Sequence, residues 1–198
     1  MPDAMRAAKQ ALRSRIIANR AELSARELGE HARHLRDVLL ATDELGTARR
    51  VAAYVSVGRE PGTGPLLEEL SERGVEVLLP LLRPDHDLDW AAYEGPDALA
   101  PATRGLLEPT GDPLGTGAVA EADVVLVPAL AVDRHGARLG RGGGSYDRIL
   151  ARVAGRSFTC ALLHHGELLD MPVPREPHDV PVEAAATPSG LHRLRPSG

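Results

Sequence analysis

Between Val124 and Val153 an apolar run, a glycine-rich stretch and an amphipathic segment follow one another, and few folds accommodate that order. The run Val124-Val125-Leu126-Val127-Pro128 reads as a strand buried on both faces. Ile149-Leu150-Ala151-Arg152-Val153 carries its apolar residues at helical spacing. Between the two lies Arg138-Leu139-Gly140-Arg141-Gly142-Gly143-Gly144-Ser145-Tyr146-Asp147-Arg148. A strand, a glycine loop and a helix in succession bring unpaired backbone N–H groups and the positive end of a helix dipole to one point. Arg138, Arg141 and Arg148 can add guanidinium forks to phosphate or carboxylate oxygens there. The stretch predicts a phosphate site.

The rest of the chain repeats the alternation. Apolar spacing at Met5, Ala8, Leu12 and Ile16 predicts a helix from Met5 to Asn19, with Lys9 and Arg13 on one side of it. Ser24 with Glu27 forms a capping-box signature for a second helix reaching Leu40, whose arginines and histidines, His31 among them, read as a solvated face. Val51 to Val57 reads as a strand, Gly58 to Thr63 as a loop and Pro65 to Glu72 as a helix. Val75 to Leu82, Leu88 to Tyr93 and Phe158 to Leu163 are further strands, and Arg83-Pro84-Asp85-His86-Asp87 is a hairpin turn. Gly95 to Gly117 and the proline-rich tail from Met171 to Pro188 read as irregular. Buried strands alternating with helices predict an α/β fold with a largely parallel sheet between helical layers. The expected organisation is a single domain over residues 1–198, with N-terminal helices across 5–40 packed on the sheet.

Composition narrows the function. No apolar run approaches the roughly 20 residues of a membrane helix, and the N-terminus is charged rather than signal-like, so a soluble cytoplasmic protein is expected. A net charge of −5 argues against general nucleic-acid binding. Cys160 is the one cysteine, inside an apolar run, and reads as a core residue rather than a nucleophile. Of 23 basic residues Lys9 alone is lysine, which suits a compact point charge presented to a phosphate.

The glycine loop fits neither common nucleotide motif. A P-loop needs Gly-Lys-Ser/Thr, and Gly144 is followed by Ser145 and Tyr146. The dinucleotide fingerprint needs a third glycine where Ser145 stands. Asp147 in the first helical turn completes a different set: arginines and glycine amides for phosphate, and a carboxylate for Mg²⁺. Together they suggest ATP.

Four segments in order carry a resemblance: Lys9-Gln10-Ala11-Leu12-Arg13, Glu60 within Gly58-Arg59-Glu60-Pro61-Gly62-Thr63, the loop from Val132 to Arg148, and His178-Asp179 with Val182-Glu183. Gly105 to Pro109 adds a fifth, resembling the Gly-Ile-x-Glu-Pro segment. The sequence resembles the 5-formyltetrahydrofolate cyclo-ligase family, also called 5,10-methenyltetrahydrofolate synthetases, over nearly its whole length. The resemblance implies a three-layer α/β/α fold with a mostly parallel, Rossmann-like sheet of the CoA-transferase-like kind. It implies ATP- and Mg²⁺-dependent conversion of 5-formyltetrahydrofolate to 5,10-methenyltetrahydrofolate, with ADP and phosphate released, through a phosphorylated, imidate-like formyl intermediate. The expected partners are small molecules only, and the expected state is a monomer.

By the same resemblance, Lys9, Arg13, Arg138, Leu139, Gly140, Arg141, Gly142, Gly143, Gly144, Ser145 and Tyr146 would hold ATP. Val55, Glu60 and Arg141 to Ser145 would contact the folate, Asp147 and Asp179 would support Mg²⁺, and Arg141, Tyr146 and Glu60 would be the catalytic set. Ser145 stands where the family usually has a tyrosine, and Pro61-Gly62 replace its usual Val-Asp pair. Two other readings compete. One is a non-catalytic nucleotide- or folate-binding paralogue. The other is a sugar-phosphate isomerase-like enzyme, for which Asp133 or Glu108 would be the base.

Overall fold

The computed structural model describes residues 2–176 and 179–194. Three helices lead the chain, α1 (Pro2–Ala21), α2 (Ala25–Leu40) and the short α3 (Asp43–Thr47). Ser24 caps α2 as expected: Glu27 N–H donates to Ser24 Oγ at 3.2 Å, and Ser24 N–H donates to Glu27 Oε2 at 2.8 Å. Then come β1 (Arg50–Ala52), α4 (Gly64–Glu72), β2 (Glu76–Leu82), β3 (Leu88–Ala92), β4 (Leu99–Pro101) and β5 (Leu107–Pro109). The second half runs β6 (Val124–Pro128), β7 (Ala131–Asp133), β8 (Arg138–Leu139), α5 (Ser145–Val153), β9 (Phe158–Leu162), β10 (Leu168–Leu169), β11 (Ala184–Thr187) and β12 (Gly190–Arg193).

The main sheet has the order β12-β11-β9-β6-β1-β2-β3. Its five inner strands pair in parallel, and an antiparallel hairpin closes each edge. Each strand alternates its side chains between two cores, which is why its residues read as a continuous apolar run. Val124 and Leu126 pack with Leu35 and Leu39 of α2 and Leu66 and Leu70 of α4. Val125 and Val127 pack on the opposite face with Ile149, Leu150 and Val153 of α5. That is a three-layer α/β/α arrangement. Helix α1 packs elsewhere, placing Ile16 against Leu130, Ala137 and Leu139 beside the small sheet β10-β7-β8.

Four expectations need correcting. The strand expected at Val51 to Val57 stops at Ala52: Ala53 N–H still donates to Leu78 O of β2, but from Tyr54 on the backbone groups turn to Thr63 instead of a neighbouring strand. Thr63 Oγ1 donates to Tyr54 O at 2.7 Å and accepts from Ser56 N–H at 3.0 Å. The loop between β6 and the glycine stretch holds a hairpin, β7-β8, so a second small sheet stands between the strand and the glycines. Gly95 to Gly117 contains the antiparallel β4-β5 pair. The proline-rich tail hides β11, whose Ala184-Ala185-Ala186 is fully buried between β9 and β12. Alanines carry little strand propensity and fit there because the larger side chains of α2 fill the space above them.

Candidate active site

Chain order reverses between β1 and β6: the chain moves outward from β1 to β2 and later returns past β1 to β6. In an open α/β sheet the C-terminal ends of the two strands at such a switch point diverge and leave a crevice. Here the segment after β1 (Tyr54 to Glu60) and the segment after β6 (Pro128 to Asp147) bound a cavity of about 290 Å³. Every residue assigned to ATP, folate, metal or catalysis from the sequence lines it, from Lys9 and Arg13 through Val55 and Glu60 to Leu139, Gly143, Ser145, Tyr146 and Asp179. His178, part of the C-terminal motif, lies outside the described residues.

Cations and carboxylates from distant segments meet in this cavity as pairs. Lys9 Nζ donates to Asp179 Oδ2 at 3.0 Å and lies 3.6 Å from Glu176. Arg138 Nη2 donates to Asp147 Oδ1 at 2.6 Å, and its Nη1 donates to Pro128 O at 3.1 Å. Arg141 Nη2 lies 3.1 Å from Glu60 Oε1, while Val57 N–H donates to Glu60 Oε2 at 2.9 Å. Arg13 Nε donates to Gly140 O at 2.9 Å, which fastens α1 onto the glycine loop.

The glycines are needed for space and backbone conformation. A Cβ on Gly140 would lie 2.7 Å from Arg138 Nη1, and Gly142 has φ +100, a region side chains avoid. Loss of solvation around its hydroxyl raises the pKa of Tyr146 above the ordinary tyrosine value, and the Glu60 carboxylate adds to the shift. Tyr146 is therefore a neutral phenol at neutral pH, with the Arg138 guanidinium 5.9 Å from its ring centre.

Several residues behave differently from the sequence reading. Glu60, expected to contact the folate, stands in a loop and yet has a side chain only 9% exposed. Arg148 turns away from the cavity and donates to His86 O. Ser145 Oγ donates to the same carbonyl at 2.6 Å, so the β2-β3 hairpin turn is clasped against the start of α5. Asp87 in that turn is held by Arg152 at 2.5 and 2.8 Å, which lowers its pKa to about 2. The Asp-His-Asp turn is thus a docking point.

The other groups are structural. Asp133, a candidate base in the isomerase reading, is 3% exposed and accepts backbone N–H groups from His135, Ala137 and Val173. Glu183, just before β11, accepts from Thr159 N–H of β9 at 2.9 Å. Burial pushes the Cys160 thiol up to about 12, so it is no nucleophile. His31 leaves the solvated face to bond His164, Nδ1 to Nδ1 at 2.8 Å. Sequence reasoning missed Tyr54, Leu82, Leu88, Arg104 and Leu106 as cavity residues. Tyr54, one residue before Val55, and Leu106, within the Gly105 to Pro109 segment, carried a signal.

The sequence model of the 5-formyltetrahydrofolate cyclo-ligase family matches residues 5–188. The chain is 44% identical to the 5-formyltetrahydrofolate cyclo-ligase of Mycolicibacterium smegmatis over 193 residues, 94% of this chain and 97% of that one. It is 32% identical to the Escherichia coli K12 protein of the same name over 151 residues, 72% of this chain and 79% of that one. The NMR structure of Aquifex aeolicus 5,10-methenyltetrahydrofolate synthetase superposes with a TM-score of 0.81 at 27% identity, covering 96% of this chain and 94% of that one. Fold and cavity together define an α/β enzyme with its ligand cleft at a topological switch point. The chain belongs to the 5-formyltetrahydrofolate cyclo-ligase family. Among the described residues no helix is long and apolar enough to cross a membrane.

Proposed function

We propose that the chain, acting as one cytoplasmic domain, closes 5-formyltetrahydrofolate to 5,10-methenyltetrahydrofolate at the expense of ATP, with Mg²⁺ on the nucleotide. The observation that supports this most is the convergence of the Lys9–Asp179, Arg138–Asp147 and Arg141–Glu60 pairs on one cavity. A polyphosphate with its cation can exchange with such pairs, phosphate oxygens taking the basic partners and the metal taking the acidic ones. The donor set suits Mg²⁺: Asp147 and Asp179 are hard oxygen ligands, and this cation binds through one or two carboxylates plus phosphate oxygens and water. When bound, the metal would neutralise charge on the phosphates.

The residues then divide the work. Lys9, Arg13 and Arg138 hold phosphate oxygens, and the amides of Gly142 to Gly144 approach the phosphoryl group being transferred. Glu60 accepts N–H groups of the pterin and fixes the formyl group opposite the γ-phosphate. The formyl oxygen attacks the γ-phosphorus and ADP leaves. N10 then attacks the formyl carbon, and phosphate departs with the formyl oxygen as N10 loses its proton. Arg141 stabilises the charge that grows on the transferred group, and neutral Tyr146 can donate a hydrogen bond to it. No step uses a protein nucleophile.

The test is formation of methenyltetrahydrofolate, followed by absorbance, from 5-formyltetrahydrofolate with ATP and Mg²⁺. Product only when all three are present is the expected outcome. Tight nucleotide and folate binding without product would move the chain to the non-catalytic reading.

A further inference from the structure

Helix α1 rests on the protein along one line. Of residues 4–21 only Lys9, Leu12, Arg13, Ile16 and Arg20 are not exposed, and their spacing makes a single stripe. Leu12 and Ile16 supply the apolar contact, against Leu130, Ala137 and Leu139. Burial of that kind holds a helix close without fixing its rotation, because it carries no direction. Arg20 does have direction. Its Nε and Nη2 donate to Glu167 Oε1 and Oε2 at 2.7 and 2.8 Å, and Nη2 also donates to Ala129 O at 2.7 Å. Glu167 is fixed in turn: its Oε2 accepts His164 N–H at 2.8 Å, and its backbone carbonyl accepts Val132 N–H of β7 at 3.0 Å. The two side chains are 5% and 6% exposed. A pair buried so deeply contributes little stability over apolar residues of the same volume, since both charges must leave water. What its planar fork supplies is geometry.

We propose that Arg20 and Glu167 are positioning residues that set the rotation of α1 and so deliver Lys9 and Arg13 to the phosphates of the nucleotide. The inference rests on the nucleotide reading above. Arg20 follows Arg13 by about two helical turns and Lys9 by about three, so one rotation of the helix moves all three side chains together. Lys9 lies about 16 Å along the axis from Arg20, and a small tilt at Arg20 is therefore largest at Lys9. The other end of α1 is held separately. Arg59 Nη1 donates to Arg20 O at 3.3 Å and to Leu23 O, so the loop that carries Glu60 is tied to backbone that a change of the Arg20 side chain leaves in place.

The experiment titrates a non-hydrolysable ATP analogue with Mg²⁺, and separately 5-formyltetrahydrofolate, into the wild type, Lys9→Ala, Arg20→Lys and the Lys9→Ala/Arg20→Lys double variant. Arg20→Lys keeps the charge beside Glu167 and loses the fork. It should weaken the ATP analogue by about tenfold, as Lys9→Ala does, and leave folate affinity within about twofold. Adding Lys9→Ala to Arg20→Lys should then cost no more than about twofold further, although residues this far apart ordinarily act independently. Additive losses would overturn the proposal, because Lys9 would still reach its phosphate without the fork. Equal weakening of both ligands by Arg20→Lys would make the pair general scaffolding and overturn it too. A greater loss for folate than for nucleotide would make Arg20, which lines the cavity, a ligand contact instead. Arg20→Met/Glu167→Gln guards against a variant that fails to fold, since it buries no charge and keeps an acceptor for His164 N–H. That variant should melt as a folded protein and still bind the ATP analogue about tenfold more weakly, and wild-type nucleotide affinity in it sinks the positioning role. A wild type that binds no ATP analogue removes the nucleotide reading itself, and this inference with it.

Discussion

The glycine-loop wall and the β4-β5 wall of one cavity treat charge in opposite ways. On the first, Arg138 and Arg141 each face a carboxylate, and Lys9 and Arg13 reach in from α1 to an acid and a carbonyl. On the second, Arg104 makes no ion pair or hydrogen bond with any described residue. Paired charges hold several like-signed groups close together without a ligand, as a site for a polyanion requires. A single cation on an exposed rim stays solvated and needs no partner. The difference separates a wall of paired charges from one that is mainly apolar.

The largest expected effect is on the paired wall. Arg138→Ala removes a guanidinium whose side chain is 5% exposed and strands Asp147, so turnover should fall by about 10²–10³-fold in the methenyltetrahydrofolate assay. A loss below tenfold would mean that charge develops elsewhere. Lys9→Ala should weaken binding of a non-hydrolysable ATP analogue by about tenfold or more and disturb folate less. Glu60→Ala should reverse that order, and equal effects of both variants on both ligands would erase the division of the cavity.

A control away from both walls is the His31–His164 pair. His164 Nε2 donates to Arg59 O at 3.2 Å, so its Nδ1 accepts and His31 Nδ1 donates. Burial, and then the Arg20 charge, lower the His164 pKa from 6.5 to about 4. Between those values the unfolded chain binds more protons than the folded one, so stability is complete above about pH 6.5 and is lost as pH falls towards 4. Thermal melts from pH 7 to pH 4.5 should show a falling Tm in the wild type and a flatter profile in His164→Gln. Identical profiles would remove His164 as the source. The smallest effect is expected from Ser145→Ala, which loses the bond to His86 O and should cost about 1 kcal/mol or less, a Tm change of about 2–4 °C. Folate affinity that drops tenfold in this variant would give Ser145 a direct contact instead.

Much of this was legible in the residues. Val124 to Pro128, the helix at Ser145 and the strand at Phe158 follow from apolar pattern alone, because both faces of each inner strand are covered. What escaped lacks a local signal. Ala184 to Thr187 pairs with β9 only through contacts across the chain, and alanines say nothing about strand pairing. The backbone from Tyr54 on leaves the sheet because Thr63, across the following loop, supplies the partners. Arg104 looks like any loop arginine until the β4-β5 pair sets it on the cavity rim.

By itself the sequence determined which groups are on hand: a glycine loop rich in arginine, one lysine in an arginine-rich chain, Glu60 after a strand and Asp147 at a helix start. Those features are local, since backbone freedom, charge type and helix position are properties of a few neighbouring residues. Only the tertiary structure decided which opposite charges face each other. Pairing of Lys9 with Asp179 and of Arg141 with Glu60 depends on the reversal of strand order between β1 and β6, which brings segments remote in sequence to one crevice.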